Sequence, residues 1–223
     1  MTDEARVDPG RRVLIAGATG LVGQALLALL LANASVMQVH AWVRRPLAAR
    51  HAKLSAHVVD FAALPPLPSV DEVYLALGTT IRIAGSQPAF RAVDFDANLA
   101  VARAARAAGA RRAGLVSAMG AKANASVFYS RVKGEMEDAL ATVGFDAWVI
   151  ARPSMLVGDR VALGQPLRRG EQIAETVSHW LGPLIPANYR PVDAARVARA
   201  LAARVPLAQG QEVLLSGELQ RFA

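Results

Sequence analysis

The chain has 223 residues, with 25 basic and 18 acidic side chains, a formal charge of +7 and no cysteine. Apolar residues make up 53% and charged residues 19%, which describes one large folded domain and excludes a disordered chain. The lack of cysteine excludes disulfide scaffolds, thiol nucleophiles and cysteine-ligated zinc, and it fits a reducing cytosol.

An isoelectric point near 10.7 invites a nucleic-acid reading, but the distribution of charge argues against it. Basic residues stand singly or in pairs such as Arg11-Arg12, Arg44-Arg45, Arg111-Arg112 and Arg168-Arg169. There is no basic run, zinc-finger spacing or ribonucleoprotein aromatic motif, so no nucleic-acid partner is expected. From Val13 to Val43 the chain runs 31 residues without Asp, Glu, Lys or Arg, long enough to span a bilayer. Gly17, Gly20 and Gly23 interrupt that run and Asn33-Ala34-Ser35 supplies a turn, so it reads as strand, turn, helix, turn, strand buried in protein. Met1 to Arg12 has no signal-peptide pattern, and a soluble, cytoplasmic protein with no membrane partner is the expectation.

In chain order, Val13 to Ala16 is a short apolar run suited to a strand buried on both faces. Leu21 to Ala32 is an apolar helix ended by Asn33, and Val36 to Val43 is a second strand. Val58-Val59 begins or ends a third, and Pro65, Pro66 and Pro68 force a loop. Val70 to Leu77 is a fourth strand, followed by a long helix from about Pro88 to Ala108 with Gly109 as its C′ residue. Ala113 to Ser117, Tyr129 to Val143 and Ala147 to Ala151 then read as strand, helix and strand. Beyond Pro153 a helix near Gly170 to Leu181, a second from Val192 to Ala203 and a short strand at Val213 to Ser216 are predicted. Strands alternating with helices of this length indicate right-handed βαβ units, hence an α/β fold with a Rossmann-type doubly wound parallel sheet. Residues 1–223 form a single domain in this reading, in which 153–223 supply a small C-terminal cap and the last sheet elements.

Gly17-Ala-Thr-Gly20-Leu-Val-Gly23 follows a predicted strand and opens a helix, the context in which a glycine turn cradles a pyrophosphate on free N–H groups and a helix dipole. At the end of the second strand, about 20 residues on, a cofactor lacking a 2′-phosphate meets an acid at its ribose. This chain has Arg44 and Arg45 there, whose planar forks suit a phosphate dianion, so NADP(H) is favoured over NAD(H). A solvated surface pair is the plainer alternative. Asp60 and Phe61 are candidates to flank the adenine, or else form a strand-end turn. Tyr129 and Lys133 share one helix face, so that the lysine ammonium stabilises the phenolate and poises the phenol for proton transfer. Ser117, at a strand C-terminus where ligands bind in such sheets, is placed to hydrogen-bond the substrate oxygen.

Together these residues resemble the short-chain dehydrogenase/reductase superfamily, in its atypical and extended, NAD-dependent epimerase/dehydratase-like branches. The match covers most of the chain. It runs through Leu14-Ile-Ala-Gly-Ala-Thr-Gly-Leu-Val-Gly23, Val43-Arg-Arg, Val59-Asp-Phe61, Leu77-Gly-Thr-Thr80, Val93-Asp-Phe-Asp96, Leu115-Val-Ser-Ala-Met-Gly-Ala121, Tyr129-Ser-Arg-Val-Lys-Gly-Glu135 and Ala151-Arg-Pro-Ser154. Within the superfamily it is similar to the small NADPH-binding oxidoreductases related to the Tat-interacting protein. The resemblance implies that Gly17, Thr19, Gly20, Leu21, Val22 and Gly23 contact the pyrophosphate and Arg44 and Arg45 the 2′-phosphate. It also implies that Leu77, Gly78 and Thr79 line the ribose side, and that Arg152, Pro153 and Ser154 approach the nicotinamide. Ser117, Tyr129 and Lys133 become the catalytic set, with Lys133 also on the nicotinamide ribose. Asn98 is the candidate for the superfamily's fourth polar residue.

The remaining residues receive plainer readings. His40, His51, His57 and His179 show no metal-ligand spacing, so no metal is expected. Glu135, Glu137 and Asp138 read as the solvated side of a helix, as do Glu171 and Glu175 on the cap helix. Trp148 reads as core, and Trp180 and Tyr189 are candidates to line an apolar substrate pocket. The expected function is reduction or oxidation of a carbonyl or alcohol of a small-molecule substrate, by a monomer or homodimer. The alternatives are an NADP(H)-binding redox sensor and an NAD-dependent epimerase or dehydratase.

Overall fold

A computed structural model describes residues 10–158 and 186–223. The helix predicted near Gly170 to Leu181, with Trp180, His179, Glu171 and Glu175, lies outside the described residues.

Seven parallel strands form the central sheet: β1 (Arg11–Ala16), β2 (Val36–Val43), β3 (Leu54–Val58), β4 (Glu72–Leu75), β5 (Arg112–Val116), β6 (Ala147–Arg152) and β9 (Gly210–Leu215). Their order is β3-β2-β1-β4-β5-β6-β9. β7 (Leu156–Val157) and β8 (Val192–Asp193) make a separate parallel pair. This is the doubly wound Rossmann-like arrangement predicted, with its switch point where β1 lies between β2 and β4.

Alternation along β1 divides the core. Val13 and Ile15 face α1 (Leu21–Ala32) and α6 (Ala194–Arg204), packing with Leu26, Leu30, Val197 and Leu201. Leu14 and Ala16 face the other layer, with Val101, Met136 and Leu140 from α4 (Asn98–Ala107) and α5 (Phe128–Ala141). Strands covered on both faces read as continuous apolar runs, which is why β1 and β2 were legible without a polar face. α1 is apolar nearly all round because it is sandwiched between the sheet and α6.

The last strand starts at Gly210, three residues before the predicted Val213, the β7–β8 pair was not foreseen, and two further differences shape the site. β4 ends at Leu75, two residues short of the predicted Leu77, and Leu77 to Thr80 form a loop capped by the short α2 (Ile81–Ala84). The long helix is composite: α3 (Gln87–Arg91) and α4 flank a π-helical stretch, Ala92–Ala97. Such widened turns mark places where a helix trades regular bonding for side-chain placement.

Candidate active site

A cleft of about 680 Å³ opens at the C-terminal ends of β1, β2, β4 and β5. Its floor begins at the glycine turn. Gly17 has φ +93°, and a Cβ there would stand 2.3 Å from Ala76 O. A Cβ on Gly23 would meet Gly17 O at 2.0 Å, so Gly23 lets α1 start directly over the turn and does not itself line the cleft. Gly20 is the N-cap of α1 and offers no side chain to cap it, leaving the first turn open to a ligand. Gly17, Thr19, Gly20, Leu21 and Val22 all line the cleft.

Arg44 and Arg45 lie on its rim, exposed, and neither makes an ion pair with another described residue. Phe61 lines the cleft, but Asp60 does not. The Asp60 carboxylate accepts from Ala62 N at 2.9 Å through Oδ1, closing the strand-end turn that was the plainer of its two readings. Leu77, Gly78 and Thr79 line the opposite wall.

That wall is held by the π-helical stretch. Asp94 Oδ2 accepts from Thr79 N at 2.9 Å, and Asn98 Nδ2 donates to Leu77 O at 3.1 Å. Four positions apart, the two side chains share a helix face and meet the same loop. Asn98 is thus a buried clamp on the cleft wall. Asp94 Oδ1 forms an ion pair of 2.8 Å with Lys133 Nζ, and both side chains are buried. Burial alone pulls the Lys133 ammonium down, but Asp94, then Tyr129 and Glu137, overcome it and hold its pKa above the usual lysine value. The sequence reading missed Asp94 as a functional residue, although it had singled out Val93-Asp-Phe-Asp96.

Tyr129 and Lys133 project from α5 into the cleft beside Ser117, which directly follows β5, so the three predicted catalytic residues share one cavity. The Tyr129 ring rests against the buried Phe90, with centroids 5.4 Å apart. Gly134 follows Lys133 because a Cβ there would stand 2.2 Å from the backbone of Lys122, which crosses the helix at that point.

Beneath Ser117 the structure departs from the sequence reading. Glu137 is buried, not solvated. Its carboxylate is gripped by Arg152, whose Nε stands 3.1 and 3.2 Å from the two oxygens and whose Nη2 also bonds Oε2. The Ser117 hydroxyl donates to Glu137 Oε1 and not into the cleft. Arg152, Pro153 and Ser154 do not line the cleft. Arg152 is occupied by Glu137, Pro153 O accepts from Met119 N at 2.8 Å, and Ser154 Oγ donates to Arg190 O at 2.5 Å. Glu135 pairs with Arg91 while Asp138 is exposed. Trp148 is only partly buried, packed against the core, and Tyr189 is exposed and off the cleft.

A glycine turn, a cationic rim and a lysine-backed tyrosine share one cleft, and comparison with known proteins gives the family. A family model described as NAD(P)H-binding matches residues 17–179. The chain belongs to the NAD(P)H-binding family. This family member is 32% identical over 199 residues to protein FMP52, mitochondrial, of Candida albicans, covering 83% of each chain. It is 39% identical over 150 residues to protein FMP52, mitochondrial, of Eremothecium gossypii, covering 66% of this chain and 67% of the relative. Its fold is similar to a putative NAD-dependent epimerase/dehydratase from Bacillus halodurans, with a TM-score of 0.67 at 21% identity over 95% of this chain and 98% of that one. It is also similar to MoeE5 in complex with UDP-glucose and NAD, with a TM-score of 0.67 at 19% identity over 92% of this chain and 76% of that one. The NAD(P)H-binding character and the Rossmann-type fold expected from the sequence therefore hold. The cytoplasmic expectation does not: the fungal relatives are named as mitochondrial proteins. A cysteine-free composition is compatible with many compartments and carried no information about which one. Among the described residues no helix is long and apolar enough to cross a membrane.

Proposed function

We propose that this family member is an NADP(H)-dependent oxidoreductase acting on the carbonyl or alcohol of a small molecule. The observation that carries the reading is the single cleft in which the glycine turn, Arg44-Arg45 and the Ser117, Tyr129 and Lys133 set lie side by side. The residues present fit the cofactor. The open first turn of α1 suits its pyrophosphate, and the two exposed guanidiniums, free of acidic partners among the described residues, suit a 2′-phosphate. When bound, the nicotinamide supplies or accepts a hydride at carbon.

The chain's own groups manage the proton. In the reductive direction the Tyr129 phenol gives its proton to the substrate oxygen, and Lys133, fixed as an ammonium by Asp94, stabilises the phenolate left behind. Thr79, Ile83, Val93 and Leu156 also line the cleft.

The test is a screen of aldehydes, ketones and alcohols with NADPH and NADP+, followed by cofactor absorbance. Turnover of a carbonyl with NADPH supports the reading. Tight NADPH binding without any turnover would replace it with a cofactor-reporting binding protein.

A further inference from the structure

The direction of one hydrogen bond decides what Ser117 can do. Glu137 Oε1 accepts from the Ser117 hydroxyl and from Arg152 Nε, and its Oε2 faces Nε and Nη2 of the same guanidinium. A carboxylate so gripped has only lone pairs to offer, so the shared proton belongs to the serine. A serine hydroxyl carries one proton and two lone pairs. With its proton committed beneath the cleft, Ser117 presents only lone pairs to the cavity it lines. Glu137 stands four residues beyond Lys133 and eight beyond Tyr129, on the buried face of α5. It does not line the cleft, so it acts through Ser117 and not on a ligand.

We infer that Glu137, locked by Arg152, is a positioning residue that fixes Ser117 as a hydrogen-bond acceptor. Tyr129 is then the sole hydrogen-bond donor of the Ser117, Tyr129 pair to a carbonyl oxygen. The group that Ser117 selects carries a proton, as an alcohol or amine does; a carbonyl oxygen placed against it meets lone pairs. The inference rests on the cleft being the carbonyl site proposed above.

Glu137→Gln is a near-isosteric reversal of this polarity. Arg152 keeps its two bonds to the Oε2 position through the amide oxygen and gives up the Nε bond to the Oε1 position, which turns the amide nitrogen towards Ser117. The serine then accepts from Gln and swings its proton into the cleft. The direct test is neutron diffraction from deuterium-exchanged crystals of the full chain with NADPH. In the wild type the deuteron on Ser117 Oγ is expected on the line to Glu137, and in Glu137→Gln it is expected to face the cleft. A wild-type deuteron facing the cleft overturns the inference, and so does a variant deuteron still directed at residue 137.

A second arm follows turnover of the best carbonyl compound from the screen above. Losing a true oxyanion donor costs about 100- to 1000-fold in rate. Ser117→Ala in the wild type is therefore expected to cost less than about tenfold, and in the Glu137→Gln background about 100-fold. An equal loss in both backgrounds overturns the inference. If no carbonyl is turned over, the proposed function fails, while the deuteron position still decides the role of Glu137.

Discussion

Asp94→Asn removes one charge from the buried pair under the cleft wall without changing its shape. Asp94 serves two donors, Thr79 N at 2.9 Å and Lys133 Nζ at 2.8 Å, with different oxygens. An asparagine has one acceptor oxygen, so whichever way it turns, its amide nitrogen faces a donor. Removing one partner of a buried ion pair costs about 3–5 kcal/mol. Because one of the two contacts survives, about 3 kcal/mol is expected, or a fall of about 6–12 °C in Tm for a chain of this size. The deficit also depends on pH. In the wild type Lys133 is held above 10.5, so its contribution is complete below that value and is lost only as pH rises through the folded pKa. Without Asp94, burial dominates and the folded lysine gives up its proton more readily than the unfolded one. The variant therefore regains stability as pH rises towards 10.5, and the gap to wild type narrows. Urea denaturation followed by circular dichroism at about pH 7 and about pH 9.5 measures both effects. A difference below about 1 kcal/mol, or one that is the same at both pH values, would refute the argument.

Arg44→Ala combined with Arg45→Ala is expected to erase a preference for NADPH over NADH of at least about tenfold, or about 1.4 kcal/mol, read by cofactor fluorescence titration. Equal affinities in the wild type would show that the pair does not bind a phosphate. Gly134→Ala places a methyl group against the Lys122 backbone and is expected to destabilise by about 3 kcal/mol, with disturbance centred on residues 120–125 in hydrogen exchange. A silent substitution there would contradict the packing. His40 is buried, and burial, then His57 and Arg12, lower its pKa below 6.5. Stability is therefore complete above that value and declines as pH falls below it, and His40→Gln is expected to flatten the decline in a series of melts from about pH 7.5 to about pH 5. Parallel declines in the two proteins would place the cause elsewhere.

The fold was legible because its strands are covered on both faces. β2 has the predicted bounds, and α1 does too, since Gly20 and Asn33 stand at its two ends. The cleft was legible in its glycine turn, arginine pair and Tyr129-Lys133 spacing, all carried by short stretches of sequence. What stayed hidden depends on contacts between distant segments. The π-helical stretch has no compositional signature, so nothing in Val93-Asp-Phe-Asp96 announced that Asp94 would reach both Thr79 and Lys133. Glu137 was camouflaged by its neighbours Glu135 and Asp138. Its position at Lys133 plus four, on the same face as Val132, Met136 and Leu140, was the available sign that it points inward. Asp60 was placed by its position after a strand and Arg152 by resemblance, and each is engaged by its own surroundings.

The central claim is that Tyr129 transfers the proton in the cleft while the remaining residues hold the cofactor. The most direct measurement compares wild type and Tyr129→Phe for NADPH-dependent carbonyl turnover and for the NADPH dissociation constant. The account predicts that turnover falls at least about 100-fold, while the dissociation constant changes less than about threefold. Unimpaired turnover in Tyr129→Phe would contradict it.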